Sequence, residues 1–257
     1  MNKMVIIGCM SLLLWAQSVM AEETTVSVYA MNLAPYFWLD EHGQWQGMYA
    51  ELASVLIKQA GMQPKFEALP WIRGLDYLQS GKLEMTSLLS KTPEREKFIH
   101  FIGVSGIEQT TLLVKQGEVA KFQAVQTLDD LAQKGYTWGI RDKTFYSKEF
   151  NHRLETDAAF RSHFDIIVQI KLNALKAARG NRFSGAFVDR IGMSYALKTD
   201  DTYNGLAMVI VPFFPPADVY FGVSKRIAPE KLEKLQAAYD TLKAQGAFKA
   251  IIARWID

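Results

Sequence analysis

Four side chains between positions 87 and 95 are spaced to hold an anion. Ser87, Ser90, Thr92 and Arg95 form a Ser-x-x-Ser-x-Thr-x-x-Arg run at a strand-to-helix transition. Hydroxyls and free backbone N–H groups at such a turn favour negative charge, and a guanidinium can grip a carboxylate with two parallel hydrogen bonds. One charge-assisted bond contributes about 1.5–3 kcal/mol. The same run also fits a capped helix whose Arg95 pairs with Glu94 or another surface acid. Asp189 ends the apolar run Ala186-Phe187-Val188. At the carboxyl end of a parallel strand it faces the crevice where α/β proteins bind ligands, and it could neutralise an ammonium there. It serves equally well as the N-cap of a helix beginning at Arg190. Tyr36, Phe37, Trp38 and Trp71 could stack on a ligand or fill a core, and Arg73 is a second anion contact or a solvated helix residue.

Other chemistries lack their residues. No GxGxxG run, GxxxxGK[ST] loop or GxSxG elbow occurs, and His42, His100, His152 and His163 are scattered without metal-ligand spacing. No catalytic residue, metal or cofactor is therefore assigned. The 257-residue chain carries a formal charge of +2, too small for the basic excess of a nucleic-acid binder. One cysteine excludes a disulfide framework and any zinc site of paired cysteines.

Strands and helices alternate along the chain. Strand patterns cover residues 25–29, 65–67, 83–88, 107–115, 136–140, 165–168, 185–188, 209–211 and 219–223. Helical spacing covers residues 48–59, 71–79, a start at Thr92-Pro93, 127–133, 144–154, 171–179, 190–198, 229–244 and 247–255. This alternation predicts an α/β protein with mostly parallel sheets in two lobes, joined by two chain crossings. The first residues read as an export signal: Lys3, then an apolar stretch from Met4 to Ala16, then Val19-Met20-Ala21 as the cleavage box after Ala21. That stretch is shorter than the roughly 20 residues that cross a bilayer. Cys9 makes a weak lipoprotein box, because the apolar run continues past it. The expected location is the periplasm.

Several short segments, in order, carry a resemblance. They are Pro35-Tyr36, Gly47-Met48-Tyr49-Ala50-Glu51-Leu52, Leu78-Gln79-Ser80-Gly81-Lys82-Leu83-Glu84, Ser90-Lys91-Thr92-Pro93-Glu94-Arg95, Gly185-Ala186-Phe187-Val188-Asp189 and Phe221-Gly222-Val223-Ser224-Lys225. Together they resemble the family 3 periplasmic solute-binding proteins, the amino-acid-binding components of ABC importers. The resemblance implies a type II clamshell without enzymatic activity, with a leader over residues 1–21. One lobe would comprise 22–110 and 214–257, and the other 111–213. It implies that Arg95 binds a ligand α-carboxylate, Asp189 an α-ammonium, and Ser87, Ser90 and Thr144 further polar contacts, with Trp71 as a wall. Tyr36 and Arg73 complete the candidate set. The implied partners are an amino acid or small organic acid and a membrane permease, with no nucleic acid, and the protein is expected to be a monomer. Leu33, Leu88 and Lys143 depart from the family pattern. The Pro70-Trp71-Ile72-Arg73 segment marks a branch whose ligands are often not simple amino acids, and Arg73, Arg141 and Lys143 could favour an acidic side chain. A sensor, or a dehydratase using Glu51, Glu67 or a histidine, is the alternative on the same fold.

Overall fold

A computed structural model describes residues 24–167 and 183–256. In chain order the elements are β1 (Thr25–Ala30), the short pair β2 (Trp38–Leu39) and β3 (Trp45–Gln46), α1 (Met48–Gln59), β4 (Gln63–Ala68), α2 (Trp71–Ser80), β5 (Met85–Ser90), α3 (Pro93–Glu96), β6 (Ile99–Glu108) and β7 (Thr110–Lys115). There follow α4 (Val119–Gln123), α5 (Leu128–Leu131), β8 (Trp138–Ile140), α6 (Lys148–Thr156), α7 (Ala158–Arg161), β9 (Phe164–Ile166), β10 (Gly185–Asp189) and α8 (Arg190–Thr199). The last are β11 (Leu206–Val209), β12 (Ala217–Ser224), α9 (Pro229–Ala244) and α10 (Ala247–Ile256).

Two five-stranded sheets result, ordered β4-β1-β5-β12-β6 and β11-β7-β10-β8-β9. In the first, β4, β1 and β5 run parallel, while β12 pairs antiparallel with both β5 and β6. The second mirrors this arrangement: β10, β8 and β9 are parallel, and β7 pairs antiparallel with β10 and β11. Each sheet is thus parallel where helices connect its strands and antiparallel where the chain arrives from the other sheet.

Each sheet carries its own core. The first packs aliphatic side chains of α1 and α9, such as Leu52, Leu56, Leu235 and Leu242, on Val26, Val28 and Val223. The second is aromatic, built on Phe122, Trp138, Phe150, Phe160, Phe164, Phe187 and Phe214.

Some boundaries move from their expected places. The single strand expected over 107–115 is two strands in two sheets, broken at Gln109. The Gln109 amide donates to Phe214 O at 3.3 Å and accepts from Arg190 Nη1 at 3.0 Å, so the first crossing is pinned to the second and to α8. The helix expected from Thr144 starts at Lys148, because the Ser147 hydroxyl caps it by accepting from Phe150 N. The helix expected to Gln133 stops at Leu131. The strands expected at 83–88 and 209–211 lie at 85–90 and 206–209. The proposed leader and the helix expected over 171–179 lie outside the described residues.

Candidate functional site

Arg95 is set by a single helical turn. Thr92 is extended, and its hydroxyl accepts from Arg95 N at 3.3 Å; Pro93 occupies the first helical position, where its missing N–H costs nothing. The guanidinium folds back over this turn and donates to Ser90 O at 2.7 Å. Its other nitrogen donates to Lys143 O at 3.3 Å, a contact from the first sheet's side of the molecule to the second's. Only 7% of Arg95 is exposed. Burial lowers its pKa to about 10, with Glu108 and Glu94 acting in the opposite sense, so it stays charged near neutral pH.

Asp189 is the last residue of β10 and the N-cap of α8. Its Oδ2 accepts from Gly192 N at 2.7 Å and from the Tyr36 hydroxyl, which reaches over from the first sheet's side. Capping uses this one oxygen, while Oδ1 is buried with no partner among the described residues. Burial raises the Asp189 pKa, and the Tyr36 hydroxyl and the N–H groups of Gly192, Ile191 and Arg190 oppose that rise.

Glu108 is the last residue of β6, one step before the crossing. It lines a cleft of about 360 Å³ together with Ser90, Thr110, Tyr146, Pro215 and Tyr220. Burial and Asp189 push its carboxyl up to about 7, while Arg141 and Arg95 pull it down. Asp189, Arg141 and Arg95 are thus the charged groups that act on it. Sequence reasoning missed Glu108: one carboxylate in an apolar strand has the pattern of a solvent-facing residue.

The remaining expected residues divide. Trp71 opens α2, with its ring centre 5.4 Å from Arg95 Cζ and 5.6 Å from Arg141 Cζ. Ser90 contributes its carbonyl to Arg95 and lines the cleft. Ser87 is fully buried and directs its hydroxyl to Tyr49 O at 2.8 Å, so it braces β5 against α1 instead of facing a ligand. Thr144 is half-buried, with its hydroxyl on Asp142 O at 3.4 Å. Arg73 is exposed on α2, and no described contact brings it to the cleft. Lys143, where the family pattern has glycine, adopts φ 51°, the left-handed region that glycine tolerates best. Glu51 is held by Arg254 and by Trp255 Nε1 at 2.9 Å, and Glu67 is exposed on the edge strand β4; neither lies in the cleft. Among the described residues no group of three His, Cys, Asp or Glu is placed to hold a metal ion.

The model of the bacterial extracellular solute-binding proteins, family 3, matches residues 26–257. The chain belongs to that family. No curated protein matches the sequence. Among solved structures, a histidine kinase sensor domain with similarity to periplasmic binding proteins is 18% identical, with a TM-score of 0.74 over 91% of this chain and 96% of that one. An ancestral arginine-binding protein bound to arginine is 21% identical, with a TM-score of 0.73 over 91% and 99%. An ancestral amino acid-binding protein, a precursor of cyclohexadienyl dehydratase, is 20% identical, with a TM-score of 0.73 over 94% and 99%. These likenesses establish the shared two-lobed fold of this solute-binding protein.

Proposed function

We propose that this solute-binding protein captures an amino acid or a related small acid in the periplasm and presents it to the permease of an ABC importer. The observation that carries the reading is a pair of opposite charges, each with capacity to spare, Arg95 beside the first sheet and Asp189 at the end of a strand of the second. Arg95 is buried, its guanidinium bonds to two backbone carbonyls beside the Trp71 ring, and among the described residues no carboxylate is in direct contact with it. Asp189 keeps one buried oxygen unpartnered. A zwitterion answers both: its carboxylate meets the guanidinium and its ammonium meets Oδ1. The arginine- and amino acid-binding proteins of the same fold support this reading.

In this reading residues 1–21 are removed on export. Residues 22–110 with 214–257, and 111–213, then move as two lobes about the Gln109 and 210–216 crossings. Closure is a population shift: the ligand stabilises the closed form by bonding to both lobes, and no bond of the ligand is made or broken. Titration calorimetry of residues 22–257 against the twenty amino acids tests the function. Heat from at least one of them, lost in Arg95→Ala, is expected; binding that survives that substitution unchanged overturns the clamp.

A sensor role is the second reading, supported by the likeness to the histidine kinase sensor domain. It uses the same cleft and differs in the partner of the closed form. Pull-down of a kinase instead of a permease by the ligand-bound protein would favour it.

A further inference from the structure

Three hydrogen-bond donors that the clamp does not use gather around the Trp71 side chain. The Tyr29 hydroxyl has no partner although the residue is only 1% exposed. The indole N–H of Trp71 is likewise buried and unpaired. The third donor is the Arg141 guanidinium, which comes from the loop between β8 and α6 and makes no described ion pair.

These groups are brought together deliberately by packing. Tyr29 lies near the carboxyl end of β1, with its ring 6.1 Å from that of Trp71. Gly74, one turn into α2, lets the Tyr29 ring lie flat against the helix: a Cβ there would sit 2.3 Å from the ring edge. The Arg141 backbone N–H donates to the Tyr146 hydroxyl at 2.7 Å, which anchors the loop at its base. Its guanidinium then reaches the Trp71 ring, close enough to Tyr29 to counter the burial that raises that hydroxyl to about 12.

An indole N–H and a guanidinium donate and cannot accept. A buried donor left unmatched costs about 1–3 kcal/mol, so two of them beside a guanidinium call for an acceptor. Two guanidiniums share one indole here, and a further cation between them would add repulsion, whereas an anion relieves it. The carboxylates of Glu108 and Asp189 supply the opposite charge nearby, since Asp189, Arg141 and Arg95 all act on Glu108.

We propose that Arg141, the Tyr29 hydroxyl and the Trp71 N–H form a second anion subsite, so that the preferred ligand is an amino acid whose side chain ends in a carboxylate or comparable oxyanion. This rests on the clamp reading, in which Arg95 already holds the α-carboxylate. The ligand ammonium then meets the free oxygen of Asp189.

Calorimetry with L-glutamate, L-aspartate, L-glutamine and L-arginine tests it on the wild type, Tyr29→Phe, Arg141→Met and Arg95→Ala. Tyr29→Phe removes only an unpartnered oxygen, and an unchanged melting temperature without ligand checks that it folds. An acidic amino acid is expected to bind at least about tenfold more tightly than glutamine, as one charge-assisted bond would give. Arg141→Met should erase that preference and Tyr29→Phe should reduce it, while Arg95→Ala weakens every ligand. Equal or tighter binding of glutamine or arginine, or a preference that persists in Arg141→Met, overturns the subsite while leaving the clamp intact. Failure of all four to bind the wild type overturns the acidic preference and leaves the clamp open to another amino acid; full binding by Arg95→Ala overturns the clamp itself.

Discussion

Arg95 and Arg141 approach the same indole from opposite halves of the molecule, yet they are held in different ways. Arg95 sits on a capped turn, is buried, and donates to two carbonyls. Arg141 belongs to a loop, is half-buried, and is steadied through its backbone and the Trp71 ring. The same contrast runs through the two halves. The first presents a grip already set by strand ends and short caps. The second brings its share on the loop 141–147 and on the N-terminus of α8, above an aromatic core. In the clamp proposed above, the first half supplies Arg95 on its capped turn, and the second supplies Asp189 and the loop whose Lys143 carbonyl meets that guanidinium.

The largest expected effect breaks the second half alone. Phe150 is fully buried and its ring meets those of Tyr146, Phe160, Phe164, Phe187 and Phe214. Phe150→Ala should cost about 3–5 kcal/mol of stability by denaturant unfolding, since the surrounding rings cannot close such a cavity. Tyr146 both packs on Phe150 and holds the Arg141 loop, so ligand affinity should fall as well. Affinity retained in a destabilised variant would show that the loop does not depend on the core beneath it.

Next comes the grip itself. Arg95→Ala should weaken ligand binding by about 2–5 kcal/mol, the range for truncating one partner of a desolvated charge pair. Its unfolding free energy without ligand should change less, because the lost bonds are to carbonyls at the cleft, where water can replace them. A loss of stability as large as the loss of affinity would make Arg95 a structural residue and remove the contrast with Arg141.

Much of this was legible in the sequence where it is local. The helices 48–59 and 229–244 lie at their expected bounds, because helical spacing and a stop or a proline at the end decide them. Thr92-Pro93 likewise announced the turn that carries Arg95. What depended on partners distant in the chain was not legible. The break at Gln109 has no turn residue; it arises because β6 pairs with β12 and β7 pairs with β10 and β11. Ser87 carries the right chemistry for a ligand contact but meets a carbonyl of α1, and Arg73 lies on the solvent side of its helix. Glu108 and Tyr29 acquire their meaning only when the two halves meet.

Glu108 sharpens the comparison through pH, since it stands at the junction. Its folded carboxyl is raised to about 7 from an ordinary 4.5. Between those values the folded state holds more protons than the unfolded chain, so this group's contribution to stability falls as pH rises from about 4.5 to 7 and stays low above that. Asp189 on one side and Arg95 and Arg141 on the other set the balance. Glu108→Gln should therefore raise the melting temperature at pH 8 and make little difference at pH 4. A variant with the same pH profile as the wild type would mean that Glu108 ionises normally and that the junction is open to water.

The smallest effect separates the halves most cleanly. Each has a threonine-capped single turn: Thr92 accepts from Arg95 N at 3.3 Å, and Thr127 accepts from Asp130 N at 3.2 Å in a capping box. Replacing either by alanine should cost about 1 kcal/mol of stability, the usual price of a lost N-cap. Thr92→Ala should also weaken ligand binding, because the turn it caps aims the guanidinium. Thr127→Ala should leave affinity unchanged, since α5 packs Leu128 and Leu131 into the aromatic core and presents nothing to the cleft. Equal affinities in the two variants would show that the carbonyls of Ser90 and Lys143 hold Arg95 in place even when its cap is gone, so that its pre-organisation lies in those two bonds and not in the helical turn.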